Sequence, residues 1–352
     1  MNALESQLDY PFGDTLPETG TVLPVAPGIN WLRMPLPFAL NHINLWLLED
    51  HYGDARAPGW TVVDCGVATD ATRAGWESVI QTALDGLPVQ RVLVTHCHPD
   101  HVGLADWLCQ RFQAPLWMTA GEYAFARMMA AALPGADGSA GVPHFQRHGL
   151  RDPAMLAQFK ERNSYYPSMV PAVPHAYCRL HDGQFLTIGN QRWRVITGFG
   201  HSPEHASLYN EEGKVLIAGD MVLPRISTNV SVFAIEPEAN PLQLYLDSLA
   251  RFADLPEDTL VLPAHGKPFR GLHTRIRQLR EHHIERLAEV VQACVEWQCA
   301  ADIVPLMFRR PLDAHQLTFA LGEALAHLHK LWADGIVQRE TGTDGIVRFR
   351  MI

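Results

Sequence analysis

Several things are scarce in this sequence, and each scarcity narrows what the protein can be. Cysteine is sparse and scattered: Cys65, Cys97, Cys109, Cys178, Cys294 and Cys299 include no CxxC pair. That excludes a disulfide framework and predicts reduced, mostly buried thiols. Long apolar runs are missing, and none approaches the ~18 residues of a membrane span. Residues 1–20 are acidic and broken by proline and glycine, unlike a secretory signal. The expected compartment is the cytoplasm, with no membrane partner. Positive charge is also in deficit. With 28 Lys and Arg against 38 Asp and Glu, the formal net charge is −10, which argues against nucleic acid as a partner. There is no GxSxG sequence and no other recognisable nucleophile triad.

Histidine, in contrast, is abundant, with 18 in 352 residues. Four ligand-type side chains crowd into Thr95-His96-Cys97-His98-Pro99-Asp100-His101, just after the apolar run Val92-Leu93-Val94. Imidazole and carboxylate together suit zinc and its first-row neighbours. Where a strand runs out into a loop, alternate side chains point the same way, so His96 and His98 can share one ion. Cys97 then points away from it. Asp100 and His101 lie beyond the strand, where the chain can turn them towards a second ion. Three later apolar runs end in further ligand types, at His201, Asp220 and His265.

Between these points strands and helices alternate, the mark of an α/β layer architecture. Residues 28–49 read as paired strands around the bend Pro35-Leu36-Pro37, a candidate flap over the site. Thr61 to Gly66 reads as a buried strand ending in Asp64. Residues 71–85, 103–112 and 241–255 have helical spacing. Residues 119–180 read as a helical insertion that roofs the site: a helix over 122–132, a flexible loop over 134–141 and a helix over 151–163. Met128, Met129, Phe145, Tyr165 and Tyr166 are its candidate pocket residues, with packing of the insertion's own core as the alternative. From Leu272 the pattern becomes helical, with a long helix over 272–298, a short one over 301–308 and a third over 317–335. A hairpin follows around the glycine-rich turn at Gly342 to Gly345. This winged-helix-like segment holds ten basic and ten acidic residues. Lacking the basic face of a DNA reader, it is expected to pack, to close the pocket or to form a homodimer.

The set His96-X-His98-X-Asp100-His101, His201, Asp220 and His265 resembles the metallo-β-lactamase superfamily over roughly residues 20–270. The resemblance implies a four-layer αβ/βα sandwich with two metals at one edge of facing sheets. It implies that His96, His98 and His201 hold one ion, that Asp100, His101 and His265 hold the other, and that Asp220 bridges them. Asp64 matches an early strand-end Asp that orients a ligand histidine, and His205 a second histidine that supports the site without ligating. The chain departs from the superfamily's usual segments at Gly198-Phe199-Gly200-His201 and at Glu204, whose carboxylate becomes a candidate partner of His205 or of substrate. Asn41 and His42 are further substrate candidates at the mouth. The helical tail is similar to that of the β-lactamase-like protein 2 group, whereas similarity to hydroxyacylglutathione hydrolases is confined to the metal site.

Two adjacent divalent ions can generate a shared hydroxide nucleophile at neutral pH, since each lowers the pKa of water towards ~7. Asp100 and Asp220 would be the catalytic carboxylates. The expected fold class is α/β, with a catalytic domain over 1–271 and a C-terminal helical domain over 272–352. The expected cofactors are two divalent ions, zinc first, with iron or manganese as alternatives. The expected activity is hydrolysis of a small thioester, lactone or related carboxylic ester. The alternatives are a phosphodiesterase or ribonuclease using the same metals, and a metal-dependent ligand sensor without turnover.

Overall fold

The structure is a computed structural model that describes residues 4–52, 57–136, 138–161 and 165–352. The first three residues of the N-terminal arm, Asp137 of the expected loop and Asn163 at the expected helix end lie outside them.

Two sheets face one another. The first keeps chain order: β1 (Leu23–Ala26), β2 (Ile29–Pro35), β3 (His42–Asp50), β4 (Gly59–Val63), β5 (Val89–Leu93), β6 (Leu116–Met118) and β7 (Cys178–Arg179). Its first four strands pair antiparallel and its last four parallel. Parallel neighbours need crossovers. The first crossover contains α1 (Asp70–Thr82), and the second contains α2 (Pro99–Val102) and α3 (Ala105–Phe112). The third carries α4 (Ala120–Ala130), α5 (Gly141–Arg147), α6 (Pro153–Glu161) and α7 (Tyr165–Met169). So α5 begins within the stretch whose glycines predicted a flexible loop.

The second sheet contains β8 (Phe185–Ile188), β9 (Gln191–Gly198), β10 (His205–Asn210), β11 (Val215–Gly219) and β12 (Leu260–Pro263), ordered β12-β11-β10-β9-β8. Only β11 and β12 run parallel, joined through α8 (Pro241–Ala250).

Strand β3 explains the layering. Ile43, Leu45 and Leu47 share an apolar cluster with Trp76 and Val79 of α1, while Trp46 and Leu48 join Leu208, Ile217 and Leu262 of the facing sheet. Burial on both faces is why the strand reads as an unbroken apolar run rather than an alternation. The result is a four-layer αβ/βα sandwich with a helical C-terminal part.

That C-terminal part comprises α9 (Leu272–Ala293), α10 (Ala300–Met307), α11 (Ala314–Ala333) and the hairpin of β13 (Val337–Thr341) with β14 (Val347–Met351). It has no separate core. Leu216 and Val261 of the second sheet, Leu242 and Tyr245 of α8, Leu279 of α9, Leu325 of α11 and Phe349 of β14 belong to one cluster. Helix α11 also starts three residues before the expected Leu317. The Asp313 carboxylate accepts from the Gln316 backbone N–H at 2.8 Å, and the Gln316 side chain accepts from the Asp313 N–H at 3.4 Å, forming a capping box. The extra turn faces the site described next. Among the described residues no helix is long and apolar enough to cross a membrane.

Candidate metal centre

Each candidate ligand sits where a strand runs out. His96 and His98 follow β5, Asp100 and His101 fall in α2, and His201 lies between β9 and β10. Asp220 follows β11 and His265 follows β12. They converge in two groups, His96 with His98, His201 and Asp220, and Asp100 with His101 and His265. Asp220 spans both. Its Oδ2 lies 3.3 Å from His201 Nε2 and 4.0 Å from His96 Nε2, while its Oδ1 lies 3.6 Å from His101 Nε2 and 3.5 Å from His265 Nε2. Asp100 Oδ2 closes the second group at 3.8 Å from His101 Nε2 and 3.4 Å from His265 Nε2.

Outer contacts fix the tautomers. His201 Nδ1–H donates to the Asn229 carbonyl at 2.7 Å, and His265 Nδ1–H to the His42 carbonyl at 2.9 Å. His101 Nδ1–H donates to Asp64 Oδ2 at 2.8 Å. Thr95 gives its hydroxyl proton to Asp64 and can accept from His96 Nδ1 at 3.1 Å. In the neutral rings the remaining nitrogens of these four histidines therefore present lone pairs inward. His96 Nε2 and His201 Nε2 face each other at 3.2 Å, an arrangement that repels unless a cation lies between them. His101 Nε2 and Asp220 Oδ1 are buried with no hydrogen-bond partner. Tetrahedral zinc with bonds of about 2.0–2.1 Å sets its ligand atoms about 3.3 Å apart, close to these spacings. The donor set therefore fits two cations.

The electrostatics point the same way. Burial lowers the pKa of His96 far below its usual value, reinforced by the imidazoles around it, and brings His98 down to about 3. Both are neutral, ligand-ready bases. Burial also opposes ionisation of Asp100, but His101 and His265 outweigh it and hold the carboxyl at about 2. For His101 the carboxylates of Asp64, Asp100 and Asp220 overcome burial and push the imidazole up to about 10. Without metal, a proton stands in for a cation there.

Residues 56–265 match the family model described as metallo-beta-lactamase superfamily, and residues 287–352 match the one described as metallo-beta-lactamase-like, C-terminal domain. The chain belongs to the metallo-β-lactamase superfamily. A beta-lactamase domain protein of known structure from Burkholderia ambifaria is 59% identical over the whole of both chains, with a TM-score of 0.94. A metallo-beta-lactamase family protein from Thermus thermophilus is 30% identical, covers 93% of this chain and 99% of its own, and has a TM-score of 0.77. The probable metallo-hydrolase YqjP of Bacillus subtilis is 25% identical over 322 residues, which is 86% of this chain and 92% of that protein. The protein is accordingly a metallo-hydrolase of the superfamily.

Within this superfamily member the supporting residues take varied positions. Asp64 directly follows β4 at φ 63, a left-handed conformation uncommon for a residue with a side chain. That bend aims its carboxylate at His101 and Thr95. His205 Nε2 accepts from the Asp220 backbone N–H at 3.1 Å, so it positions the bridging carboxylate through the backbone. Gly219 makes this approach feasible, since a Cβ there would lie 2.3 Å from His205 Nε2. Glu204 does not reach His205. Its carboxylate accepts from the Gly121 N–H at 2.9 Å, where the first turn of α4 offers unpaired donors. His42 Nε2 accepts from the Gly266 N–H at 3.0 Å, and Asn41 bonds His42 at 2.9 Å. These two line a neighbouring cavity of about 490 Å³ rather than the main one. Cys97 is buried in the apolar cluster behind the first sheet.

Two supporting residues gave no sequence signal. Buried Glu122 of α4 accepts from the Cys97 N–H at 2.8 Å, the Ser202 hydroxyl at 2.6 Å and the Glu204 N–H at 2.6 Å. It ties the loop of His96 and His98 to the loop of His201. Buried Asn44 donates to the carbonyls of Pro263 and Gly266 at 2.8 and 2.9 Å, fixing the turn that carries His265. Their partners are 80 and 219 residues away for Ser202 and Pro263, too far for any local pattern.

Five of the seven candidate ligands, His98, Asp100, His201, Asp220 and His265, line a cavity of about 770 Å³. The flap contributes Leu36 to Leu40, and among the described residues of the insertion only Tyr165 and Met169 line the cavity. The other expected pocket residues go elsewhere. Phe145 is buried in the cluster shared with the C-terminal helices, and the Tyr166 hydroxyl donates to the Cys97 carbonyl at 2.5 Å. Met128 and Met129 do not line the cavity. The opposite wall is C-terminal, running from Phe308 through Phe319 to Glu323.

Proposed function

We propose that this chain is a dinuclear hydrolase of small ester-type substrates, with thioesters, lactones and related carboxylic esters as the class. The supporting observation is the split of Asp220, whose two oxygens address separate ligand groups. In this reading His96, His98 and His201 hold one ion, and Asp100, His101 and His265 hold the other. When bound, the ions supply Lewis acidity and bring the pKa of water towards ~7. The protein's own groups orient and exclude. Asp64 and the carbonyls of Asn229 and His42 hold three imidazoles with their lone pairs inward. The apolar wall of Leu36, Phe38, Met169, Leu223, Phe308 and Phe319 keeps bulk water from the reacting centre.

The wall also supports the substrate class. Arg310 is the only arginine or lysine among the described residues lining the cavity, whereas a polyanion would need several cationic contacts. Zinc fits the nitrogen-rich donor set, with iron or manganese as the other metals it accepts. The six unpaired cysteines suit a reducing, cytoplasmic setting. Elemental analysis paired with a panel of thioesters, lactones, carboxylic esters and phosphodiesters tests the proposal. Two ions per chain and ester turnover that chelator removes are expected. Full turnover by a metal-free H98A/D220A double variant would sink it, and phosphodiester cleavage with steep salt dependence would replace it with the nuclease reading.

A further inference from the structure

The C-terminal wall holds one group that the hydrolase reading leaves unused. Along α11, Gln316, Phe319, Ala320 and Glu323 follow helical spacing and present one face to the cavity. The first three of these are neutral. Glu323 is a carboxylic acid, 8% exposed, that lines the same cavity as Phe308, Leu223 and Ile226. Among the described residues nothing hydrogen-bonds or ion-pairs with its carboxyl. The one hydrogen bond of this residue uses its backbone carbonyl, which accepts from His327 Nδ1–H at 2.8 Å. Arg286 favours its ionised form without forming an ion pair with it, and that guanidinium binds Glu289 at 2.8 Å. Arg310, the cation in the same wall, is bonded to Gln316 at 2.9 Å.

A buried carboxyl without partners is costly, and a ligand that satisfies it recovers that cost as affinity and selectivity. The rest of the cavity favours an apolar body. Backbone contacts fix Glu323 in place: the Val232 N–H donates to the Gly322 carbonyl at 3.1 Å, and Gly322 packs on Ser231. The same strip of chain carries Asn229, whose carbonyl holds His201. The carboxyl is thus positioned on the same packed framework as the metal ligands.

We propose that Glu323 determines substrate specificity by binding an ammonium group, or a similar charged hydrogen-bond donor, at the far end of an apolar substrate chain. The substrate class narrows to esters or thioesters whose acyl or alcohol part carries a cationic terminus. Burial raises the Glu323 pKa to about 7, so the cation's arrival would also draw the carboxyl into its ionised form.

The inference rests on the hydrolase reading only for the metals that anchor a probe. Alkanohydroxamates chelate metal at one end and extend a tail into the cavity, and their binding needs no turnover. Two series of increasing length, one ending in ammonium and one in methyl, would be titrated calorimetrically into the metal-loaded full-length protein. At the best length the ammonium series should bind about tenfold tighter or more, and E323Q should bring the ratio to within about twofold. A merely structural role would weaken both series alike and leave the ratio intact, which overturns the proposal. Equal binding of both series by the unsubstituted protein, or binding of neither, also overturns it. E323D keeps the charge on a shorter stem. It should keep the preference and move the optimum to a longer tail, which guards against misreading a folding defect in E323Q. If no ester is hydrolysed while the tail preference holds, the reaction assignment fails and the recognition site stands.

Discussion

At the scale of single residues, Asp220 and Glu122 illustrate two ways a carboxylate can be indispensable. Asp220 faces both ligand groups, so D220A should lose both ions together rather than one, with metal content by elemental analysis falling in step with activity. Glu122 touches no candidate ligand side chain, yet it accepts from three donors on the two loops that carry His96, His98 and His201. E122A strands those buried donors and should cost about 2 kcal/mol or more in denaturant unfolding. It should also weaken metal retention by about 10–100-fold. The proton on His101 gives a pH signature. Its pKa in the folded, metal-free protein is about 10, against ~6.5 unfolded. Its contribution to stability is complete below ~6.5 and is lost as pH rises through about 10. Denaturant titrations in chelator should therefore show the protein less stable at about pH 10 than at neutrality. Metal loading should remove this loss, because an ion replaces the proton. The seven candidate ligands were legible from their types and their places at strand ends. Asn44 and Glu122 were not, because what makes them matter is a partner brought near only by folding.

At the scale of elements, α11 departs most from its sequence pattern. Its leucines mark an amphipathic helix, but they do not indicate that the opposite stripe walls the metal cavity. The capping box at Asp313 extends it by the turn that carries Gln316, and Gly322 lets it press against the 228–232 segment. A Cβ at Gly322 would lie 2.6 Å from the Ser231 Cβ. G322A should therefore destabilise by about 1–3 kcal/mol as α11 is pushed outward. Because Asn229 lies in the displaced segment, metal affinity should fall as well, measurable by competition with a chromogenic chelator. The insertion taught the reverse lesson. Its aromatic and methionine side chains left pocket lining and core packing both open, and among the five only Tyr165 lines the cavity, while Phe145 and Tyr166 pack in the core. An apolar side chain looks the same in sequence whether it lines a cavity or fills a core.

At the scale of the whole molecule, the shared core unites what composition divides at Leu272. Removing residues 272–352 would expose the apolar side of α8 and the outer face of the second sheet, and would strip one wall from the cavity. A 1–271 fragment is expected to aggregate or to melt without a cooperative transition. Circular dichroism and sedimentation would check this, and a soluble, cooperatively folding fragment that retains two ions would refute it. The sequence by itself determined the layered α/β architecture, the candidate ligand set and the type of chemistry. Strand periodicity and ligand types are local properties, and the strand ends of a sandwich of this family gather at one edge. Only the tertiary structure decided which segments wall the cavity, that Glu204 turns to α4 while Glu122 supports the metal loops, and that an unpartnered carboxylate faces the substrate space. Those outcomes depend on distances between residues far apart in the chain, and packing alone sets such distances.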